Sequence, residues 1–356
     1  MATMHDVARL ARVSVSTVSY VLTGARPISQ ATRDKVLAAM TELGYQPNAM
    51  ARGLASRRSR IVGLLMPMDE RGLGATETAF VTGAAAAASV AGYHLVLSPV
   101  GDLDDLRRLA SQRMLDGAVL MEVQVEDERV GVLQEAGVPL VLIGRTGDTK
   151  GLSYVDIDFD QTVREAVAHL VSLGHDRIVY VNHSAAAIAA GYGPAVRTRD
   201  AFVAAMTGHG LEPVMIAAED SAAGGRAALT AALAQAPDLT AVLVMNENAI
   251  FGILGELTNR GLAVPRDVSV VSMVTSPQVA ELATPALTAM TSPGSALGRI
   301  AVEALLRHVT GTGNDNHQQL LPCALEVRGS TCPAPATVAV SVGDGSDPTG
   351  SGPPGT

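Results

Sequence analysis

The chain has 356 residues, of which 47% are hydrophobic and 17% charged, and it carries a formal net charge of −9. These values predict two or three folding units with sizeable cores and exclude an intrinsically disordered protein. No apolar run reaches the ~20 residues that a membrane-spanning helix needs, and the first residues lack the apolar segment of a signal peptide. The two cysteines give neither a disulfide framework nor a known metal motif, so we expect a reducing, cytoplasmic setting without a bound metal.

The charge is distributed unevenly along the chain. Residues 1–60 contain nine Arg or Lys and three Asp or Glu, a net charge of +6, whereas the remainder carries −15. A small basic module on a large acidic body is typical of a DNA-binding protein, because Lys and Arg neutralise phosphate charge. A solvated basic tail would also give this charge, but the apolar periodicity of the same residues argues against a tail.

The first 44 residues contain three apolar stripes with helical spacing, which predict three short helices. Thr3 and Asp6 fit a capping box at the start of the first helix. Ser14 and Ser29 fit the N-caps of the next two, and Gly44 fits the residue after the third. The predicted core faces are Val7, Leu10 and Ala11, then Val18, Val21 and Leu22, then Val36, Ala39, Met40 and Leu43. Two short helices joined by a tight turn and supported by a third form a helix-turn-helix unit.

The second helix, from Val15 to Leu22, is the candidate recognition helix. Small polar or moderately apolar side chains can approach base edges, thymine methyl groups and phosphates in a major groove. The side chains of this kind that we expect to point outward are Val15, Ser16, Ser19 and Tyr20, and Thr17 lies close to the helix cap. A three-helix bundle without affinity for DNA is the alternative, which the basic charge disfavours.

Residues 45–58 form a further candidate helix, which we interpret as a hinge. Pro47 suits the first helical position, and Gly53 weakens the helix by ~1 kcal/mol relative to alanine. A helix this short is marginal alone and would fold when docked on DNA, where Leu54 can wedge between base steps of a minor groove. A plain linker is the alternative.

Two segments resemble the headpiece of the LacI/GalR family of transcriptional regulators. They run from Met4 to Leu22 and from Thr32 to Leu54, and the second includes Gly44-Tyr45-Gln46-Pro47-Asn48-Ala49. The resemblance implies operator contacts from the recognition helix and from the start of the third helix, and it implies that Leu54 enters the operator centre. The candidate DNA-binding residues are Thr3, Ser14, Val15, Ser16, Thr17, Ser19, Tyr20, Ser29, Thr32, Asn48, Arg52 and Leu54. Arg12 departs from the Gly or Asn that the family often has in the turn, and Tyr20 stands where several members carry Arg or His.

From residue 61 onward, short apolar runs alternate with helical stretches. This alternation predicts parallel, doubly wound sheets, and the number of units predicts two Rossmann-like lobes with a cleft beyond the carboxyl ends of the strands. The predicted strands are Ile61–Met66, His94–Ser98, Gly117–Met121, Leu140–Ile143, Ile178–Val181, Ala241–Met245 and Val268–Met273. No nucleotide-binding loop or His-Glu-x-x-His motif occurs, so we expect no enzyme and no cofactor. We interpret His169 and Gly174-His175 as structural.

The body carries further segments that resemble the same family. They are His169–Ile178, Gly261–Val271, Thr284–Thr288 and Val327–Thr331. The resemblance implies an all-α helix-turn-helix headpiece plus an α/β, periplasmic-binding-protein-like body of two Rossmann-like lobes that dimerises. It implies crossovers between the lobes near Asp156–Asp158, Thr284–Leu287 and Thr310–Leu320. The domain boundaries that follow are 1–44, 45–58 and 59–332, with a disordered Pro- and Gly-rich tail at 333–356.

The family resemblance also implies an effector site at the strand ends that face the cleft. The candidate effector-binding positions are Met68, Asp69, Phe80, Ser98, Glu122, Arg145, Asp158, Arg197, Asn246 and Val274. Arg197 and Arg199 both lie near the position of the family's effector-binding arginine, so the choice between them stays open. Val274 stands where sugar-binding members of the family have an acidic residue. Glu247 stands where the family has the shorter Asp after Asn.

Together these patterns and the family resemblance predict a transcriptional regulator that binds a near-palindromic double-stranded operator as a homodimer. We expect it to act as a repressor. Its effector would be a sugar or a related metabolite, or a less polar ligand because of Val274. A solute-binding protein is one alternative, which the basic headpiece opposes. A Rossmann-like enzyme is another, which the absence of nucleotide loops opposes.

Overall fold

The computed structural model describes residues 2–23, 26–45, 58–67, 73–313 and 315–335. Several sequence-based candidates lie outside these residues. They are the hinge positions Asn48, Arg52 and Leu54, the effector candidates Met68 and Asp69, and most of the C-terminal tail.

The headpiece contains three helices, α1 (Met4–Ala11), α2 (Val15–Thr23) and α3 (Gln30–Glu42). Their predicted starts are confirmed, because the hydroxyls of Thr3, Ser14 and Ser29 each accept a backbone N–H of the first helical turn. Asp6 completes the capping box with Thr3. The turn after α1 is closed by Arg12 in the left-handed region, at a φ of 54°, which is where Gly or Asn would be least strained.

Each headpiece helix contributes one fully buried valine to the core. These residues are Val7, Val18 and Val36. The prediction of Leu10 as a core residue was wrong, since Leu10 is 42% exposed and Ala8 is buried in its place. At about 100° per residue, Val7, Ala8 and Ala11 share one face of α1, and Leu10 lies on its rim.

The body is built from strands that alternate with helices. In chain order its elements are β1 (Ile61–Met66), α4 (Ala75–Val90), β2 (His94–Pro99), α5 (Leu103–Ser111), β3 (Gly117–Leu120), α6 (Glu128–Glu135), β4 (Leu140–Ile143), β5 (Tyr154–Ile157), α7 (Phe159–Ser172), β6 (Ile178–Asn182), α8 (Ala185–Ala189), α9 (Gly193–Gly208), β7 (Val214–Ala217), α10 (Ala222–Gln235), β8 (Ala241–Val244), α11 (Glu247–Asn259), β9 (Ser269–Thr275), α12 (Pro277–Leu282), β10 (Thr288–Thr291), α13 (Gly294–Thr310), β11 (Gln318–Leu321) and β12 (Ala324–Glu326). Every predicted strand is present, to within about one or two residues at its ends.

The strands form two sheets, which define two lobes. Lobe one has the order β11-β5-β4-β3-β1-β2 and is parallel throughout, and lobe two has the order β12-β10-β9-β8-β6-β7, in which β12 is antiparallel to β10. The central strands are buried along almost their whole length, as expected where helices cover both faces of a parallel sheet. No helix in the described part of the chain is both long and apolar enough to cross a membrane.

The chain passes between the lobes at three places. The first lies between β5 and α7, at Asp158, as predicted. The other two predictions were wrong, because β10 belongs to lobe two and β11 to lobe one. The crossovers therefore lie at residues 292–293 and 322–323 rather than at Thr284–Leu287 and Thr310–Leu320.

Glycine pairs allow two pairs of helices to approach closely. In lobe one, a Cβ on Gly83 of α4 would lie 2.7 Å from the carbonyl carbon of Ser295, and a Cβ on Gly298 of α13 would lie 2.9 Å from the nitrogen of Ala84. Gly225 and Gly252 allow the same contact between α10 and α11 in lobe two. Backbone atoms cannot move aside as a flexible side chain can, so these positions require glycine.

We expect the substitution Gly298→Ala to lower the thermal stability of the protein. The added methyl group overlaps the backbone of α4, and overpacking of this kind costs about 1–3 kcal/mol. Gly255→Ala is the matched control, because Gly255 is also helical and a Cβ there meets nothing within 4 Å. The control should raise stability by up to about 1 kcal/mol. Thermal unfolding followed by circular dichroism measures both, and equal shifts in the two variants would contradict the close helix contact.

Candidate functional site

The candidate DNA-binding surface begins at the N-terminus of α2. The Ser14 hydroxyl lies 2.8 Å from both the Ser16 and the Thr17 hydroxyl oxygens. Ser16 is exposed, whereas its neighbours are only partly exposed, namely Val15, Thr17, Ser19 and Tyr20. The solvent-exposed face of α2 is therefore narrower than the face predicted from the sequence. Hydroxyl groups at a helix N-terminus are suited to phosphate contacts.

Two further headpiece candidates flank this helix. The Arg26 guanidinium lies 5.6 Å from the centre of the Tyr20 ring, a cation–π contact that restrains the ring. At the start of α3, the exposed Ser29 and the half-buried Thr32 place their hydroxyl oxygens 2.9 Å apart. Thr3 is exposed, but its hydroxyl is already engaged with the Asp6 carboxylate at 2.6 Å.

In the body, a buried ion pair lies where the lobes meet. Arg145 follows β4 through Gly144, whose φ of 109° turns the chain, and its Nη1 donates to Oδ2 of Asp156 at 3.1 Å. Asp156 lies on β5 with 5% of its side chain exposed. Burial raises the pKa of Asp156 to about 6, although the Arg145 and Arg197 charges lower it.

Arg197 reaches this ion pair from lobe two. It lies on α9, and its Nη2 donates to the carbonyl oxygens of Arg145 and Thr146 in lobe one. Its Nη1 is buried and has no hydrogen-bond partner among the described residues. Arg199 instead pairs with Asp200 at the surface. Of the two arginines that the sequence left open, Arg197 is therefore the one that faces the other lobe.

A second contact between the lobes involves acidic residues. The Thr76 hydroxyl on α4 donates to the carbonyl oxygen of Val274 at 3.2 Å and lies 3.5 Å from Oε1 of Glu247 on α11. The side chains of Glu77 and Glu247 both approach Gly74. Burial raises the pKa of both glutamates, and the nearby charges of Asp220 on Glu77 and of Glu77 on Glu247 raise it further.

Three further effector-site candidates do not lie at these contacts between the lobes. Asn246 is fully buried, and its side chain caps α11 and donates to the carbonyl oxygen of Ala218. This placement differs from the expected effector contact, since both polar atoms of Asn246 serve the protein. Phe80 is also largely buried, at 8% exposure. Ser98 is half-buried near the end of the edge strand β2.

Three other positions hold the backbone around the cleft. Asp158 caps α7 by accepting the N–H of Gln161 at 2.9 Å. Glu122 and Val274 adopt φ values of 53° and 52°, which are uncommon for residues other than glycine and costly for a β-branched side chain. The chain is therefore held in strained conformations at two edges of the cleft.

The two histidines that the sequence analysis interpreted as structural have structural roles. The His175 ring lies 2.9 Å from Oγ1 of Thr240 and 3.0 Å from the carbonyl oxygen of Cys332. His169 lies 3.2 Å from Oγ1 of Thr331. Both therefore fasten the segment at residues 331–332 to lobe two.

Three residues of the site, Asp156, Thr76 and Glu77, were not predicted from the sequence. Asp156 had a weak signal, because it lies two residues before Asp158 at the end of an apolar run. The other two lie at the start of α4, where their role depends on the distant residues Val274 and Glu247.

Protein-family models match the headpiece and the second half of the body. A model for bacterial regulatory proteins of the lacI family matches residues 3–48, and a model for a periplasmic binding protein-like domain matches residues 167–331. The HTH-type transcriptional regulator CelR of Thermobifida fusca is 33% identical over 92% of this chain and 98% of the relative. Catabolite control protein A of Priestia megaterium is 30% identical over 92% of this chain and 99% of the relative.

Solved structures agree with these matches. The lac repressor dimer bound to its operator and the anti-inducer ONPF has a TM-score of 0.79 and 26% identity, covering 93% of this chain and 99% of that one. The complex of the regulator CelR with cellobiose has a TM-score of 0.70 and 30% identity, covering 93% of this chain and 100% of that one. The helix-turn-helix headpiece, the two-lobed body and the full-length relatives lead to one conclusion: this chain belongs to the LacI family of bacterial transcriptional regulators.

Proposed function

We propose that the chain is a repressor that binds a near-palindromic operator as a homodimer, with an affinity that a small sugar changes by binding between the lobes. One observation carries the proposal. A helix-turn-helix headpiece is joined to a two-lobed body in which Arg197 of lobe two reaches across to Arg145 and Thr146 of lobe one. A ligand at this junction touches both lobes and so favours one arrangement of them over another.

On the DNA side, α2 enters the major groove with Ser14, Ser16 and Thr17 at its leading end. Ser29 and Thr32 contact the flanking phosphates, and Tyr20 contacts base edges while Arg26 restrains its ring. Residues 45–58 serve as the hinge, where Asn48, Arg52 and Leu54 contact the minor groove. The support for the hinge is its sequence and the family match. The domain boundaries proposed are 1–44, 45–58, 59–332 and 333–356.

On the effector side, the cleft offers donors and acceptors suited to hydroxyl groups. Arg197 has a buried N–H without a protein partner, and leaving such a donor unsatisfied is costly. The relative CelR was solved with cellobiose, which supports a sugar. Glu77 and Glu247 supply carboxylates near Val274, where an acid is missing. Glu122, Arg145 and Asp158 remain proposed ligand contacts, as do Ser98, Met68 and Asp69.

The protein acts as a regulator rather than as an enzyme, and it works in the cytoplasm because its target is chromosomal DNA. The full-length relatives described above are regulators. We therefore do not favour the solute-binding alternative, which leaves the headpiece without a role.

The hinge proposal predicts that Leu54→Ala weakens operator binding at least tenfold, which corresponds to about 1.4 kcal/mol. The reason is the loss of an apolar wedge that stabilises a kinked central step. Gel-shift titration with a palindrome that carries a central CG step measures the effect. Leu37→Ala, at an exposed leucine of α3, is the control and should bind as the wild type does. Equal affinity of the Leu54 variant and the wild type would refute the hinge contact.

The effector proposal predicts that Arg197→Lys weakens sugar binding about tenfold to a hundredfold, since hydrogen bonds to charged groups contribute about 1.5–3 kcal/mol. Arg199→Lys should leave the affinity within about twofold, because Arg199 pairs at the surface. Isothermal titration with cellobiose, maltose and glucose measures both variants. The same loss in both would contradict the role of Arg197, and no binding of any of the three by the wild type would contradict the sugar assignment.

The buried carboxylate of Asp156 predicts a pH dependence of stability. Its pKa is raised to about 6 in the folded protein from 3.8. The folded state therefore holds the proton more tightly than the unfolded state, and the stability so gained is present below about pH 4 and lost as pH rises through 6.

Asp156→Asn removes this titration. We expect the free energy of unfolding of the Asn variant, relative to that of the wild type, to rise by up to about 3 kcal/mol between pH 4 and pH 7. Thermal melts across this range measure the difference. A difference that stays constant with pH would show that Asp156 ionises normally.

A further inference from the structure

The lobes are joined across the cleft by a short antiparallel pairing of backbone. The N–H of Val125 in lobe one donates to the carbonyl oxygen of Gly191 in lobe two at 2.8 Å. The N–H of Gly193 donates back to the carbonyl oxygen of Val123 at 3.0 Å. Gln124 and Tyr192 face each other between these two bonds. We call residues 123–125 and 191–193 together the inter-lobe bridge.

The lobe-one side of the bridge is held in place by its own lobe. Arg129 donates to both carboxylate oxygens of Asp127, at 2.9 and 2.6 Å, and to the carbonyl oxygen of Glu122 at 2.8 Å. Asp127, with 2% of its side chain exposed, accepts the N–H of Gln124 at 3.1 Å. The Gly147 N–H donates to the carbonyl oxygen of Val125 at 2.8 Å. Lobe one therefore presents a preformed backbone edge to lobe two.

The lobe-two side of the bridge fits only because it contains glycine. Gly191 has a φ of 74°, in the left-handed region. A Cβ on Gly193 would lie 2.7 Å from the carbonyl oxygen of Val123 and would overlap the Arg197 guanidinium. The first of these obstacles belongs to the opposite lobe. A side chain at position 193 thus obstructs the arrangement of the lobes that the bridge holds together.

The bridge and the proposed effector contact share one helix end. Gly193 begins α9, and Arg197 lies four residues later on the same face of that helix. Arg197 contacts the carbonyl oxygens of Arg145 and Thr146, next to the Gly147 that supports Val125. The contacts of Arg197 and the bridge therefore hold the same end of α9 against lobe one.

We propose that the inter-lobe bridge is a latch that holds the two lobes in the closed arrangement, and that Gly193 is the positioning residue that permits this closure. This inference rests on the proposed function for its meaning in regulation. Its geometry stands without it, because the latch operates in the absence of DNA and sugar. Only a difference in contacts between two arrangements can shift their populations, and the bridge contacts are lost in any arrangement that separates residues 123–125 from residues 191–193.

A disulfide across the bridge tests the latch directly. Gln124 and Tyr192 form the kind of antiparallel pair that has no mutual hydrogen bonds, for which the Cα atoms lie about 4.5 Å apart, within the range that a disulfide spans. The full-length variant Gln124→Cys/Tyr192→Cys is treated with oxidised glutathione, which takes up the two electrons and is reduced to two thiols. Peptide mapping separates the new bond from the native Cys323 and Cys332, of which Cys323 is buried.

The double variant should cross-link readily without sugar or DNA. Adding Gly193→Ala should slow cross-linking at least tenfold. Adding Gly208→Ala, at the other end of α9 where a Cβ meets nothing within 4 Å, should leave the rate unchanged. Asp127→Asn provides a second way to disturb the bridge, from lobe one, and should also slow the reaction. Circular dichroism establishes that each variant is folded.

Absence of cross-linking in the double variant overturns the proposal, and so does an equal rate with Gly193→Ala. If operator or sugar binding fails while cross-linking follows the expected order, the proposed function falls and the latch remains. If binding succeeds while cross-linking is insensitive to Gly193, the latch falls and the proposed function remains.

Discussion

Asp156 and the two arginines beside it are the contact on which the two-lobed body depends. A carboxylate buried to this degree is costly unless cations and hydrogen-bond donors surround it. Arg145 supplies one cation from lobe one, and Arg197 supplies another from lobe two. Because Asp156 lies on the strand that leads into the first crossover, this carboxylate of lobe one lies near a cation of lobe two. The hydrogen bonds of Arg197 to the carbonyl oxygens of Arg145 and Thr146 join the lobes in addition to the chain crossovers.

The headpiece was predicted well because its determinants are local. A capping hydroxyl bonds to an N–H two or three residues away, so Ser14 and Ser29 mark helix starts without knowledge of the rest of the chain. The strands of the body were readable for a related reason, since a strand buried on both faces is a short continuous apolar run. Leu10 was misplaced because its face of α1 depends on where α3 packs.

The features that could not be predicted from the sequence depend on contacts between residues that lie far apart along the chain. Helix α13 begins at Gly294 and contains Gly298, residues that suggest a loop, yet Gly298 is needed where α13 touches α4. Thr76 and Glu77 have no local signature, and the hydrogen-bond partners of Thr76 lie 171 and 198 residues further along the chain. Asn246 follows a strand as an effector contact would, but only the fold shows that α11 uses its side chain as a cap.

In the proposed function, a sugar in the cleft and an operator at the headpiece bias the same equilibrium of lobe arrangements. Thermodynamic linkage then requires reciprocity. Operator affinity by fluorescence anisotropy, with and without saturating cellobiose at fixed salt, gives one coupling factor. Cellobiose affinity by calorimetry, with and without saturating operator, gives the other. Both factors should differ from one and equal each other. A sugar that binds while leaving operator affinity unchanged would show that the two sites are not coupled.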